Sequence, residues 1–266
     1  MLCFGMPTLI ELPDLRESAA LCRRLGLRFI ELNMSFPQNQ LDRLDPAQLR
    51  AIAREFGIFY TIHIDESMDP CSVNPRIARV YREDMRRTVA LARELEIPTL
   101  NMHLLRGIYV TLPDRRTYIY GEREDWFLTQ LRAFRDEMTE AVGDSGVRLC
   151  VENTDGYDEP FLVHGLETLL ESPAFGLTID IGHDHAIGRI DEPLILAHGE
   201  RLRHMHMHDG RGKNVHLALG DGEIDLPYFL RMAETHGCRV VLETKTVAAL
   251  EQSVRWLREH GETEDA

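Results

Sequence analysis

Leu202-Arg203-His204-Met205-His206-Met207-His208-Asp209 is the segment on which the fold turns. Side chains alternate across a strand, so Met205 and Met207 share one face and His204, His206 and His208 the other. The apolar face fits against covering helices. The other face fits the inside of a closed sheet, its last residue at the C-terminal mouth. The flanking segments repeat the pattern. Leu177, Ile179 and Ile181 oppose Thr178 and Asp180, and Val240 and Leu242 oppose Val241 and Glu243. Three earlier segments also end on polar groups, in Thr61-Ile62-His63, Asn101-Met102-His103 and Val151-Glu152-Asn153.

Outward from these segments, strand-like and helix-like stretches alternate along the chain. Strands are predicted near Leu2–Gly5, Phe29–Asn33, Phe59–Ile64, Thr99–His103, Val147–Glu152, Leu177–Asp180, Leu202–His208 and Val240–Glu243. Helical spacing fills Asp14–Leu25, Pro46–Phe56, Arg76–Leu95, Asp125–Ala141, Phe161–Leu170, Leu226–Thr235 and Val247–Glu259. Asp45 and Pro46 suit a helix cap and first turn. Such alternation without a linker predicts a parallel sheet, and eight strands can close. A doubly wound open sheet shares the pattern. It lacks support here, because no glycine-rich phosphate loop follows the first strand and the polar strand ends are spread over most of the sheet. The expectation is a single α/β domain, a (β/α)8 TIM barrel over residues 1–260, with a flexible acidic tail at 261–266.

The bulk properties agree. The chain has 266 residues, 44% hydrophobic and 28% charged, close to the roughly 250 of such a barrel. No run approaches the roughly 18 apolar residues of a membrane span. Five cysteines without a CxxC pair argue against a disulfide framework or a cysteine zinc site. Each reads as a small buried residue, and the set points to a reducing, cytoplasmic setting. No signal peptide is read at the N-terminus. The formal charge of −14 counts against a nucleic-acid partner, because the global field repels phosphate.

One connection is long. Residues 104–121, with Tyr109, Tyr118 and Tyr120, read equally as a lid or wall of the site and as a surface hairpin packed on itself.

The chemistry follows from convergence. On one phase, Glu152, Asp180, His206 and Glu243 meet at the barrel mouth, with His63 and His103 beside them. Carboxylates that close must share a proton or hold a cation. Three carboxylates and an imidazole suit one divalent metal, Mn²⁺, Co²⁺ or Zn²⁺, and the extra histidines favour these over Mg²⁺. Taken alone, a strand-end carboxylate is a helix cap or ion-pair partner, and His204, a layer deeper, is core. His208 stays open between ligand, substrate contact and rim. His164, His185, His198, His236 and His260 read as surface.

The segments Val151-Glu152-Asn153, Thr178-Ile179-Asp180-Ile181-Gly182-His183, His206-Met207-His208-Asp209, His216-Leu217-Ala218-Leu219-Gly220-Asp221-Gly222 and Leu242-Glu243 resemble the xylose-isomerase-like TIM-barrel superfamily. That superfamily contains sugar isomerases and epimerases, inosose dehydratases and zinc-dependent apurinic-site endonucleases. Its epimerase branch implies one metal on Glu152, Asp180, His206 and Glu243, with Glu152 and Glu243 also moving the proton and His183 touching substrate. Its endonuclease branch implies three zincs, adding His63, His103, His183 and His216, but needs an acid where this chain has Asn214. His208 and Lys213 complete the candidate contacts.

The resemblance therefore implies an isomerase or epimerase of a sugar or polyol, working through an enediolate held on the metal, with Tyr109, Tyr118, Tyr120 or Trp126 stacking on the sugar. The alternatives are a zinc-dependent phosphodiesterase, a keto-polyol dehydratase, or a barrel that binds sugar or metal without turnover. Dimers and tetramers are common in the superfamily, so a homo-oligomer is in keeping with it. A phosphate would sit at the loops after strands seven and eight, where the acidic Gly220-Asp221-Gly222-Glu223 turn offers it no help.

Overall fold

The structure is a computed structural model that describes residues 2–153 and 156–261. Eight parallel strands close a barrel: β1 (Cys3–Pro7), β2 (Phe29–Asn33), β3 (Phe59–His63), β4 (Thr99–His103), β7 (Arg148–Glu152), β8 (Phe175–Asp180), β9 (Leu202–Met207) and β12 (Arg239–Leu242). Around the barrel they run β1-β12-β9-β8-β7-β4-β3-β2. Two hairpins stand outside it, β5 (Tyr109–Thr111) with β6 (Arg116–Tyr118), and β10 (Asp209–Arg211) with β11 (Asn214–Leu217). The helices are α1 (Leu15–Arg24), α2 (Pro46–Phe56), α3 (Pro75–Leu95), α4 (Ile119–Glu122), α5 (Glu124–Val142), α6 (Pro160–Leu170), α7 (Ile181–Ala186), α8 (Glu192–Ala197), α9 (Leu226–His236) and α10 (Val247–Glu259). The expected barrel is the fold observed.

Local chemistry sets the elements. Asp14 caps α1 by accepting the N–H groups of Arg16 and Glu17. In α2, the Asp45 side chain accepts from Ala47, Pro46 sits in the first turn, and Gly57 closes the helix at φ 65°. Strand boundaries shift by a residue or two, with one real difference. Ile181 does not continue the alternation of its strand but opens α7, because Asp180 turns back to accept the N–H of His183 at 2.7 Å. The β10–β11 hairpin and the short helices α7 and α8 have no counterpart in the sequence pattern.

The outer face of the barrel is apolar: Leu177, Ile179, Met205, Met207, Val240 and Leu242 are fully buried beneath the helices. Inside, the layers change character with height. At the N-terminal end Phe29 and Phe59 stack with centroids 5.1 Å apart. Gly5 makes the room, since a β-carbon there would stand 2.5 Å from the Phe29 ring. Above lies a hydrogen-bonded layer of Glu31, Thr61, Asn101, Thr178 and His204, all buried. The mouth layer carries the histidines and carboxylates. This interior departs from the branched aliphatic packing usual in such barrels.

The long connection is the β5–β6 hairpin followed by α4. Tyr120 does not face a substrate. It is buried, stacks on Phe127, and donates its hydroxyl to Asp69 Oδ2 at 2.5 Å and Cys71 O at 2.9 Å. Trp126 sits on the outside of α5, in a cleft with Arg79, Arg82 and Arg86 of α3. Four cysteines are buried as expected, whereas Cys3 is only half-buried. Of the tail, 262–266 lies outside the described residues. Among the described residues, no helix is long and apolar enough to cross a membrane.

Candidate metal centre

Four barrel strands in succession deliver Glu152 (β7), Asp180 (β8), His206 (β9) and Glu243 (just past β12). Register steps along the strands: Glu152 pairs with Thr178, Asp180 with His206, and His206 with Val241, two residues before Glu243. The stagger of tilted barrel strands lets the four side chains converge. Nδ1 of His206 lies 3.4 Å from Glu152 Oε1, 3.4 Å from Glu243 Oε2 and 3.9 Å from Asp180 Oδ2. All four side chains are withdrawn from solvent, His206 and Asp180 completely.

The predicted companions fall into two flanking groups. Nε2 of His63 and of His103 each lie 3.4 Å from Glu152 Oε2. On the other side, His183, His208 and His216 cluster with nitrogens within 4.8 Å of one another. His208, left open by the sequence, is fully buried. Its Nδ1 accepts the backbone N–H of His216 at 2.8 Å, so its Nε2 is the group that bonds Asp180, at 3.1 Å from Oδ1. Lys213 stands apart, exposed at the turn between β10 and β11.

Several contributors were not read from the sequence. Lys245, two residues past Glu243, donates to Glu243 Oε1 at 2.8 Å. Thr178 donates to Asn101 Oδ1 at 2.5 Å, and Asn101 passes an amide hydrogen to Glu152 Oε2. Glu31, in the middle of β2, reaches into the lumen to bond both His204 and His206 at 2.8 Å and accepts the Thr61 hydroxyl at 2.9 Å. His204 is therefore buried, as expected, but as half of a polar bracket. A carboxylate on the inward phase of β2, level with the histidine row of β9, was the available signal.

The charges are strongly coupled. Burial opposes ionisation of Glu31, yet the imidazoles of His206 and His204 hold its carboxyl well below the usual range. Glu152 and Glu243 behave alike: burial raises them, and facing histidines pull them well below the carboxylate norm. For His63, burial works against the proton, but Glu152 lifts it to about 9. His216 goes the other way, pushed down to about 4 by burial and then by His208.

Whether these residues suit a cation is tested by what they leave unpaired. His206 Nδ1 and Glu243 Oε2 are both buried without a hydrogen-bond partner among the described residues, and they face each other. Buried polar atoms are rarely left so. Asp180, His206 and Glu243 offer ligand atoms within 4.8 Å of one another, as do His63, Glu152 and His206. Mixed oxygen and nitrogen donors of this kind suit a divalent transition metal. The residues fit the group.

The comparisons with known proteins agree in fold. Residues 19–260 match the model of the family described as xylose isomerase-like TIM barrel. A D-tagatose 3-epimerase-like protein superposes with TM-score 0.77 at 21% identity, over 98% of this chain and 97% of that one. A D-allulose 3-epimerase from Methylomonas sp., solved with D-allulose, gives 0.71 at 15% over 99% and 97%. A 3-keto-D-glucoside 4-epimerase from E. coli gives 0.74 at 13% over 97% and 100%. No curated protein sequence matches the chain.

Proposed function

The chain belongs to the xylose isomerase-like TIM barrel family, and from that premise we propose that it is an enzyme, a metal-dependent isomerase or epimerase of a sugar or polyol. The observation that carries this reading is the pair Glu152 and Glu243. They converge on His206 Nδ1 from β7 and β12, with β8 and β9 between them. Solved relatives in fold are named as sugar epimerases, and one holds a ketose.

In this reading Glu152, Asp180, His206 and Glu243 hold one divalent metal, Mn²⁺, Co²⁺ or Zn²⁺. When bound, it supplies Lewis acidity at the substrate carbonyl and its neighbouring hydroxyl. The chain does the rest. Glu152 and Glu243 are the proton-transfer groups. One takes the proton from the carbon beside the carbonyl, and the other, or the same one, returns it. Asn101, His63 and His103 fix Glu152 from behind. Lys245 holds the second oxygen of Glu243. His183, one-third exposed at the rim, is placed to meet substrate hydroxyls.

A second reading has its own observation. His63 and His103 on Glu152, and the His183–His208–His216 cluster, are donor sets for more than one ion. A zinc phosphodiesterase would need that. Asn214, exposed on the β10–β11 hairpin, stands where that reading wants a carboxylate.

The test is a panel of ketoses incubated in D2O with metal-loaded protein, followed by proton NMR and elemental analysis. Solvent deuterium entering beside the carbonyl, lost by roughly 10²- to 10⁴-fold in Glu152→Gln and Glu243→Gln, supports the isomerase. Full exchange in Glu152→Gln would remove it. Two or three zincs per chain, with cleavage of abasic DNA, would replace it with the phosphodiesterase.

A further inference from the structure

We propose that Glu31 is the positioning residue that takes the Nε2–H of His206 and so turns Nδ1 toward the mouth as the nitrogen offered to a metal. The inference rests on the metal-site reading above. It concerns a residue outside the four-residue set, on a strand three steps away around the barrel.

A neutral imidazole has a single N–H, and the hydrogen bond at one nitrogen decides which it is. Glu31 is 2% exposed and carries three bonds: His206 Nε2 at 2.8 Å on Oε1, and His204 Nε2 at 2.8 Å and Thr61 Oγ1 at 2.9 Å on Oε2. A carboxylate so occupied accepts from all three and has no hydrogen to give. Both imidazoles must then donate from Nε2. For His206 the remaining nitrogen, Nδ1, has no hydrogen-bond partner among the described residues and faces Glu152, Asp180 and Glu243. An Nδ1 aimed at three carboxylates is satisfied by a cation between them, a proton in the metal-free chain that a bound metal replaces. The 2.8 Å separations are hydrogen-bond lengths, so Glu31 acts through the imidazole and not as a ligand itself. Thr61, paired with Glu31 in register, holds the carboxylate level with β9.

The experiment uses the full chain, ¹⁵N-labelled at histidine and loaded with Zn²⁺, a diamagnetic probe. Long-range ¹H–¹⁵N spectra should show His206 protonated at Nε2 and zinc-bound at Nδ1, with slowly exchanging Nε2 protons on His204 and His206. In Glu31→Gln the amide has one acceptor oxygen and cannot serve both rings. One of those protons should disappear, and zinc, measured by competition with a chromophoric chelator, should bind on the order of 10- to 100-fold more weakly. Parent protein with Nδ1 protonated, or bound to zinc through Nε2, would overturn the inference even if the variant fails to fold. Equal zinc affinity in parent and folded variant would overturn it alone. A parent that binds no zinc would take the functional reading down with it.

Discussion

Gly182 is matched to His208: a β-carbon on the glycine would stand 1.9 Å from Cε1 of the imidazole. The ring cannot step aside, being fully buried and held at both nitrogens, by the His216 N–H and by Asp180. The glycine of Asp180-Ile181-Gly182-His183 thus exists so that the next strand's histidine can reach Asp180. Gly182→Ala should displace His208, free one oxygen of Asp180, and weaken metal binding by about tenfold or more. Titration of chelator-stripped protein with Mn²⁺ or Zn²⁺ measures it. Unchanged affinity would mean that Asp180 needs no support from His208.

Asp209 invites a stability prediction. Its carboxylate, 2% exposed, accepts four backbone N–H groups: Gly210 at 2.8 Å and Ile224 at 3.1 Å on Oδ1, Gly220 at 3.0 Å and Gly222 at 2.9 Å on Oδ2. The turn where a phosphate would sit has these donors filled from within. Charge-assisted bonds of this kind contribute roughly 1.5–3 kcal/mol each when lost singly. Asp209→Asn should therefore cost on the order of 3 kcal/mol in urea unfolding, and Asp209→Ala more. A loss below about 1 kcal/mol would show that the loop closes without its carboxylate.

The contrast between Asp209 and Glu31 shows what the sequence discloses. Barrel closure and the mouth residues were legible because period-two alternation is local and repeats strand after strand. His204 and His206 of β9 and the strand-end acids Glu152 of β7 and Asp180 of β8 fell on the inward phase that period gives, with His208 just past the end of its strand. Glu31 was not legible: a lone carboxylate in Phe29-Ile30-Glu31-Leu32-Asn33 gains meaning only from His204 and His206, 173 and 175 positions away. Tyr120 failed for the same reason. Its aromatic character suggested a sugar platform, but Asp69, 51 positions earlier, ties its hydroxyl into the core. Ile181 failed differently, because an alternating run cannot show that its last acid is also a helix cap.

Asp184, on the buried side of α7, carries a pH prediction. It is fully buried; Oδ1 accepts the Asp191 N–H at 2.9 Å, and Oδ2 has no partner among the described residues. Burial first, and the charges of Asp191 and Glu192 after it, push its carboxyl up to about 6. The folded chain then keeps a proton that the unfolded chain releases near pH 4. Stability from this group falls as pH rises from about 4 to about 6, by roughly 1.4 kcal/mol per pH unit, and stays lost above. Asp184→Asn keeps an acceptor and carries no charge. Its unfolding free energy should drop less across that window, leaving it about 2 kcal/mol more stable than the parent at about pH 8. Parallel pH profiles for the two proteins would refute the assignment.

The mouth itself predicts a stability signature that needs no substrate. Glu31, Glu152, Asp180 and Glu243 crowd around one imidazole, so a cation that binds only the folded chain should stabilise it in proportion to RT ln(1 + [L]/Kd). That is about 2.7 kcal/mol at a hundredfold excess over Kd, or roughly 5–10 °C in a chain of this size. Scanning fluorimetry of chelator-stripped protein should show Tm climbing with added Mn²⁺, Co²⁺ or Zn²⁺. Glu243→Gln removes a charge whose Oε2 is buried and unpartnered among the described residues. It should remove most of the metal-dependent rise, and should also lower the stripped Tm somewhat, because His206 and Lys245 hold this carboxylate in its charged form in the folded chain. Loss of the increment, and not the change in the stripped Tm, is what marks Glu243 as a ligand. A structural glutamate would lower the stripped Tm and leave the increment intact, and a parent without any increment would mean that the four converging residues hold no metal.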